Sequence, residues 1–256
     1  MVLGCALARV AAGAEAPGYA RVAGGSFASS LPVAPGRNEV ALEPFLLQRR
    51  PVTNAEFLAF AQGHPKWRRG EVPGVFADAG YLAHWSAPLA LGPGARPEEP
   101  VTRVSWFAAR AYCEAQGARL PTWYEWERAA AADETRSDAR GDPAWRQRIL
   151  DWYSRPSSEA LPDVGLSPAN AWGVHDLHGL VWEWVEDAGS LLAGADSREQ
   201  GDPDRMKFCG SGALTLEQKE NYAVLMRVAM LSSLPAAGTT NRLGFRCARD
   251  PEAGAP

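Results

Sequence analysis

Residues 176–184 read DLHGLVWEW, and residues 243–247, close to the end of the chain, read LGFRC. The first stretch contributes two of the ten tryptophans of the 256-residue chain, which also contains 25 glycines and 20 prolines. Such a composition is typical of a compact body that is rich in loops and ordered by aromatic side chains. It argues against a helical bundle or a long regular sheet, so we expect an α+β fold with short elements.

The bulk composition is that of an ordinary globular protein. Hydrophobic residues make up 46% and charged residues 22% of the chain, which excludes disorder of the whole chain. The net charge of −4 implies no basic face for nucleic acid. The chain contains no run of about 18 apolar residues, so its sequence predicts no membrane-spanning helix. Because no repeat or linker divides residues 22–250, we expect a single domain.

Local signals predict two helices and three short strands. In residues 53–60, Thr53 and Glu56 have the spacing of a capping box. Residues 105–116 place apolar side chains on one helical face and stop before Gly117. Strands are expected at residues 19–22, 40–47 and 244–248, and long surface loops at the polar, Gly- and Asp-rich residues 134–144 and 192–205.

The first sixteen residues, MVLGCALARVAAGAEA, have the composition of a targeting segment. They are apolar and rich in small residues, and they end in an A-x-A pattern, which resembles the end of a secretory signal without its basic start. We therefore expect an exported, periplasmic protein with a signal-peptide remnant at residues 1–16, a domain at residues 17–250 and a tail at residues 251–256. The alternative interpretation is an ordinary cytosolic N-terminus.

A series of short motifs follows one order along the chain. They are GGSF at 24–27, PFLL at 44–47, PVTNAEF at 51–57, VSW at 104–106, AYC at 111–113, GARLPT at 117–122, EWE at 125–127, NAWG at 170–173, DLHG at 176–179, VWEW at 181–184 and LGFRC at 243–247. Together they resemble the formylglycine-generating enzyme family, also called sulfatase-modifying factors, over nearly the whole chain. The resemblance implies one domain with a C-type-lectin-related fold and little regular secondary structure.

Active members of that family oxidise a substrate cysteine to formylglycine with oxygen and copper. Two cysteines near the C-terminus hold Cu(I), a soft ion that prefers a pair of thiolates. In this chain the corresponding positions fall at Gln218 and Ala223, or near Leu214 when counted from the preceding motif, and none of them is cysteine. Only Cys209 lies in this segment, so copper is not expected and no catalytic residue is assigned.

The same resemblance implies a disulfide between Cys113 and Cys247. A second bridge of the family would fall near Ala130 and Val228, where this chain lacks both cysteines. A disulfide requires an oxidising compartment, which agrees with the expected export. The alternative interpretation is that Cys113 and Cys247 are two buried free cysteines.

A calcium site at the WEW turn is also implied. His178, Gly179 and Val181 would contribute backbone oxygens. Glu183 would add its carboxylate, and oxygen ligands of both kinds are those that calcium prefers. Calcium is therefore the cofactor that the resemblance implies, although Leu180 replaces the polar residue that the family has in this turn.

The family places a ligand pocket beside the same turn. Trp184 and Arg227 match pocket positions of the family. Arg242 stands where the family has asparagine, and Asn241 lies one residue earlier. We therefore expect a pocket whose recognition chemistry differs from that of the family. For Arg227, the alternative is a buried pair with a carboxylate.

These observations favour an exported binding or maturation factor that keeps the family's fold without its copper chemistry. Its partner would be a periplasmic client protein or a small ligand. Two alternatives stay open. One is a copper- and oxygen-dependent oxidase of altered design that acts on a protein cysteine through Cys209, and the other is a lectin-like ligand-binding module.

Overall fold

The regular elements of the structure are short. A computed structural model describes residues 17–31, 33, 37–154, 160–190 and 222–251. The strands are β1 (Tyr19–Val22), β2 (Gly25–Ala28), β3 (Glu39–Leu42), β4 (Phe45–Gln48), β5 (Trp182–Glu183), β6 (Leu243–Gly244) and β7 (Ala248–Arg249). The helices are α1 (Asn54–Gly63), α2 (Trp106–Ala115), α3 (Trp123–Ala130), α4 (Pro143–Tyr153) and α5 (Tyr222–Ser233), and single 3₁₀ turns occur at Pro65–Trp67 and Ala188–Ser190.

The largest sheet brings the two ends of the domain together. β4 lies between β1 and β7, and both neighbours run antiparallel to it. Leu47 in β4 pairs with Ala20 on one side and with Ala248 on the other, and all three side chains are fully buried. β2 and β3 form an antiparallel pair, whereas β5 and β6 form a parallel pair of two residues each.

Both predicted helices are confirmed, and each begins at the cap that its sequence contains. Thr53 caps α1 through a complete capping box with Glu56. Ser105 caps α2 by accepting a hydrogen bond from a backbone amide of the first turn. Gly117 follows α2 with a φ of 63°, in the left-handed region that favours glycine. The strand predicted at residues 19–22 is confirmed as β1.

Two predicted strands are each divided in the structure. Residues 40–47 form parts of β3 and β4, with a break at Pro44, which has no amide hydrogen to donate to a ladder. Residues 244–248 likewise separate into the end of β6 and the start of β7, because these two strands pair with different partners. The sequence therefore predicted the position of these strand segments but not their interruption.

Three helices go beyond the sequence prediction. α3 has a capping box formed by Thr122 and Glu125, and Asp142 caps α4. α4 begins inside residues 134–144, which were expected to be a loop, and the third helix is α5. The loop expected at residues 192–205 lies outside the described residues. None of the helices in the described ranges has the length and hydrophobicity that a bilayer crossing requires.

Aromatic side chains fill the core, as the composition predicts. Phe57 in α1 stacks on Tyr112 in α2 with ring centroids 5.8 Å apart, and it meets Phe245 edge-on at 6.1 Å. Four tryptophans are at most 2% exposed, namely Trp85, Trp123, Trp126 and Trp184. Elements of few residues are thus held by large buried rings rather than by long hydrogen-bonded ladders.

A disulfide joins Cys113 in α2 to Cys247 beside β7, with Cα atoms 5.5 Å apart. Both cysteines are fully buried. The structure therefore has the disulfide that the family resemblance implies, and not the two buried free cysteines of the alternative interpretation. Ala130 and Val228, at the positions of the second family bridge, are buried as well. The remaining bridge spans a sequence separation of 134 residues and ties the middle of the chain to its end.

Removal of this disulfide should strongly destabilise the fold. We expect Cys113→Ala/Cys247→Ala to lower the free energy of unfolding by about 4 kcal/mol, because the bridge constrains a long loop in the unfolded chain. Urea denaturation followed by tryptophan fluorescence measures this loss. Wild-type protein unfolded in a reductant is the control, since it loses the bond but keeps both sulfur atoms. A loss below about 1 kcal/mol would contradict the expectation.

Candidate functional site

The stretches DLHGLVWEW and LGFRC lie side by side because β5 pairs with β6. The amide of Trp182 donates to the carbonyl oxygen of Arg242 at 2.7 Å, and that of Trp184 donates to Gly244 at 3.0 Å. A Cβ atom at Gly244 would lie 2.6 Å from the carbonyl oxygen of Val101, so this close approach requires glycine. The pairing sets the charged residues of both stretches next to each other in the core.

Glu183 and Arg246 form a buried ion pair, and neither side chain has exposed surface. Nη2 and Nε of Arg246 donate to the two carboxylate oxygens at 2.7 and 2.9 Å. Nε1 of Trp126 donates to one of these oxygens at 2.9 Å. The guanidinium also donates to the backbone oxygens of Gln48 and His175, at 3.1 and 2.9 Å. Both charges are thus compensated by bidentate geometry and further hydrogen bonds.

The residues expected to bind calcium do not fit that ion. The carboxylate of Glu183, the one charged ligand in the expected set, already accepts two hydrogen bonds from Arg246, whose positive charge opposes a second cation beside it. Val181 is buried, whereas His178 and Gly179 border a cleft. Within the described ranges, no three His, Cys, Asp or Glu side chains are grouped so that they could hold a metal ion.

The residues expected to form a ligand pocket are divided between core and surface. Trp184 and Arg227 are each only 1% exposed. Nε1 of Trp184 donates to the backbone oxygen of Val104 at 3.0 Å. Asn241 is exposed and Arg242 is half-buried. The structure therefore does not bring these four side chains together at one open surface.

Arg227 is a buried cation that lies over an aromatic ring. Its guanidinium carbon is 3.4 Å from the ring centroid of Trp126, which is a close cation–π contact. Its Nη2 donates to the backbone oxygen of Glu183 at 2.9 Å, and no carboxylate of the described residues forms an ion pair with it. Burial lowers the pKa of Arg227 to about 10, and the side chain stays charged at neutral pH.

A cleft with a volume of about 360 Å³ opens between α4 and the loop of residues 167–179. α4 lines it with Trp145, Ile149 and Trp152. This cleft was not predicted from the sequence. The signal that identifies it is the helix start at Asp142, because a helix from this point places the two tryptophans, seven residues apart, on one face.

His178 borders this cleft as a neutral ring. Its Nε2 lies 2.8 Å from the carbonyl oxygen of Ala130 and must donate to it, because a carbonyl only accepts. The ring meets Trp126 and Trp145 edge-on, with centroids 5.7 and 5.5 Å away. Burial lowers the pKa of His178 to about 4, and the charge of Arg227 adds to this effect. At neutral pH, Nδ1 therefore carries a lone pair.

Comparison with known proteins identifies the family. A family model described as the sulfatase-modifying factor enzyme 1-like domain matches residues 6–251, so the chain belongs to this family. It is 33% identical over 284 aligned positions to a formylglycine-generating enzyme of Streptomyces coelicolor, covering 91% of this chain and 89% of that protein. It is 31% identical to the inactive C-alpha-formylglycine-generating enzyme 2 of Bos taurus, covering 82% and 78%. A hercynine oxygenase of Mycolicibacterium thermoresistibile is 36% identical over 57% of this chain and 36% of its own length.

Breaking the buried ion pair should cost far more stability than breaking an exposed pair. Glu183→Gln leaves the guanidinium of Arg246 buried without its counter-charge, so we expect it to lower the free energy of unfolding by about 3–5 kcal/mol. In α2, the exposed pair between Arg110 and Glu114, at 2.9 Å, provides the matched control. Glu114→Gln should cost about 0.5 kcal/mol or less in the same urea denaturation experiment. Equal costs would show that Glu183 is not held as described.

Acidification should destabilise the protein through His178. Its pKa is about 4 in the folded protein, against 6.5 for an unperturbed histidine. Between these values the unfolded chain binds the proton that the folded chain excludes. Stability contributed by neutral His178 is therefore complete above pH 6.5 and is lost as the pH falls toward 4, by up to about 3 kcal/mol.

The pH dependence of urea unfolding measures this contribution. We expect His178→Gln to reduce the fall in stability between pH 6.5 and 4 without abolishing it, because burial also lowers the pKa of His84 to about 4. His64 is exposed, and His64→Gln is the matched control for the loss of a histidine side chain. A His178→Gln profile as steep as that of the wild type would refute the assigned pKa.

Proposed function

We propose that this chain is a family member without formylglycine-generating activity and that it serves as an exported binding or maturation factor. The observation that carries the proposal is the cysteine inventory. The chain has four cysteines, and Cys113 and Cys247 are joined in the disulfide. A two-thiolate copper site needs two further cysteines at the right spacing. The two that remain, Cys5 and Cys209, are far apart in sequence and lie outside the described residues.

The positions that correspond to the copper thiolates of the family support the same proposal. Leu214 and Gln218 lie outside the described residues, and Ala223 belongs to α5. Leucine, glutamine and alanine side chains offer no thiolate, so the donor set of this chain does not fit the copper site. Similarity to a relative named as inactive, over most of both chains, is in line with this proposal.

The proposed export agrees with the disulfide, because exported proteins reach an oxidising compartment. The disulfide between Cys113 and Cys247 persists in an oxidising environment. The expected signal-peptide remnant at residues 1–16 lies outside the described residues. The C-type-lectin-related architecture that the family resemblance implies is part of this proposal, and the short strands joined by long irregular segments agree with it.

A second candidate function, a lectin-like ligand-binding module, is favoured by the cleft beside α4. The cleft is open to solvent and lined by two tryptophans together with polar side chains. An oxidase of altered design would instead depend on Cys209, the one cysteine in the segment where the family holds copper. The oxidase differs from both binding roles in copper content and in oxygen consumption, so these two quantities separate it from them.

Metal analysis of the purified protein after incubation with Cu(I) tests the proposal. We expect a copper content near zero in both wild type and Cys209→Ser, and no oxygen uptake with a cysteine-containing peptide, because a single thiolate does not make a two-sulfur copper site. The formylglycine-generating enzyme of Streptomyces coelicolor, treated in the same way, is the positive control. Stoichiometric copper in the wild type that is lost in Cys209→Ser would overturn the proposal and favour the oxidase.

A further inference from the structure

The cleft beside α4 is distinct from the pocket that the family resemblance implies. Its volume of about 360 Å³ lies at the lower end of the roughly 300–1,000 Å³ that small-molecule sites occupy. Seven of its fifteen lining residues have polar or charged side chains, and two others are tryptophans. The cleft thus combines flat apolar surfaces with many polar groups, which suits a ligand that is itself apolar on one face and polar at its edge.

The aromatic wall of the cleft is held in place by neighbouring rings. Trp145 and Trp152 are both half-buried. Trp152 packs against Tyr153 and Trp182, with ring centroids 4.7 and 5.8 Å away. Trp145 meets the ring of His178 edge-on at 5.5 Å. Indole rings that are already ordered offer contact area at little further cost in conformational entropy.

The charged side chains at the cleft already have hydrogen-bond partners within the protein. Glu134 accepts a hydrogen bond from Arg148 at 2.8 Å, and Asp133 accepts one from Nε of Arg136 at 2.7 Å. The carboxylate of Asp176 accepts hydrogen bonds from two backbone amides of its own loop. An ionic ligand would have to displace one of these partners, whereas a neutral ligand leaves them in place. The charge distribution therefore favours a neutral ligand.

His178 offers a ligand a hydrogen-bonding atom at the cleft. Nε2 of His178 donates to the carbonyl oxygen of Ala130, and in this tautomer Nδ1 is a hydrogen-bond acceptor. In the part of the chain that the structure describes, Nδ1 of His178 has no hydrogen-bond partner. A ligand hydroxyl can supply the missing donor, whereas a carbonyl or a carboxylate cannot.

We propose that this cleft binds the ring of a neutral sugar, either free or at the end of a glycan. A pyranose has an apolar C–H face that can lie on an indole and a rim of hydroxyls, one of which would donate to Nδ1 of His178. This ligand class deepens the binding role proposed above and rests on it. It uses residues of α4 and of the loop opposite, and none of the positions that correspond to the copper site.

Ligand-observed NMR and calorimetry with methyl glycosides of glucose, galactose, mannose and N-acetylglucosamine test the proposal, with glucuronic acid as the charged comparison. We expect saturable binding of at least one neutral glycoside and weaker binding of glucuronic acid. Pro168 is exposed and borders the cleft, so Pro168→Trp should fill it and lower the affinity by at least about tenfold. Leu166→Trp adds the same bulk two residues away, at a 72% exposed position outside the cleft, and should change the affinity by less than about twofold.

A second variant removes part of the binding surface. Trp145→Ala should also lower the affinity by about tenfold or more, and a thermal melt shows whether it is folded. The control is Trp172→Ala, since Trp172 is half-buried but does not line the cleft. The proposal is overturned if no neutral glycoside binds at millimolar concentration, if Pro168→Trp and Leu166→Trp weaken binding equally, or if glucuronic acid is preferred. Each of these results leaves the copper content unchanged, so failure of the sugar site is distinguishable from failure of the proposed function.

Discussion

The buried ion pair between Glu183 and Arg246 is the constraint on which the rest of the core depends. A charge in the protein interior is costly unless it is paired and fully hydrogen-bonded. Arg246 must therefore reach the carboxylate of Glu183 and the carbonyl oxygens of Gln48 and His175 at the same time. These groups come from β5, from β4 and from the loop before the WEW turn, so satisfying one guanidinium fixes the relative positions of three segments.

Trp126 connects this pair to the cleft. Its Nε1 donates to Glu183, its face carries the guanidinium of Arg227, and it contacts the ring of His178 edge-on. His178 in turn contacts Trp145 on α4. The orientation of the groups that border the cleft is thus set by the same contacts that neutralise the buried charges. A binding surface built in this way is rigid before a ligand arrives, which reduces the entropic cost of binding.

The signal for a helix start is local because it lies in the cap, whereas the sequence does not show burial that depends on distant partners. Thr53 identifies α1, and Thr122 gives α3 the same signal. α3 contains Glu127, which looks like a surface charge in sequence but is 2% exposed. Its carboxylate is satisfied by Trp123 and by Ser29, which lies 98 residues away. No periodicity of nearby residues reveals such a partner, whereas the ordered motifs of the family locate the segments as a set.

For the candidate site, the sequence alone predicts which metal can bind only where no other side chain can supply the required ligand atom. Our proposal that copper chemistry is absent rests on the lack of cysteine at Gln218 and Ala223, because no other side chain supplies a pair of thiolates. A carboxylate is ambiguous, since the oxygens of Glu183 could satisfy a calcium ion or an arginine, and only the position of Arg246 decides between them. The ion pair, the disulfide and the aromatic core involve none of the copper positions. Loss of the copper positions, as we propose for this chain, would therefore leave the contacts that hold the fold in place.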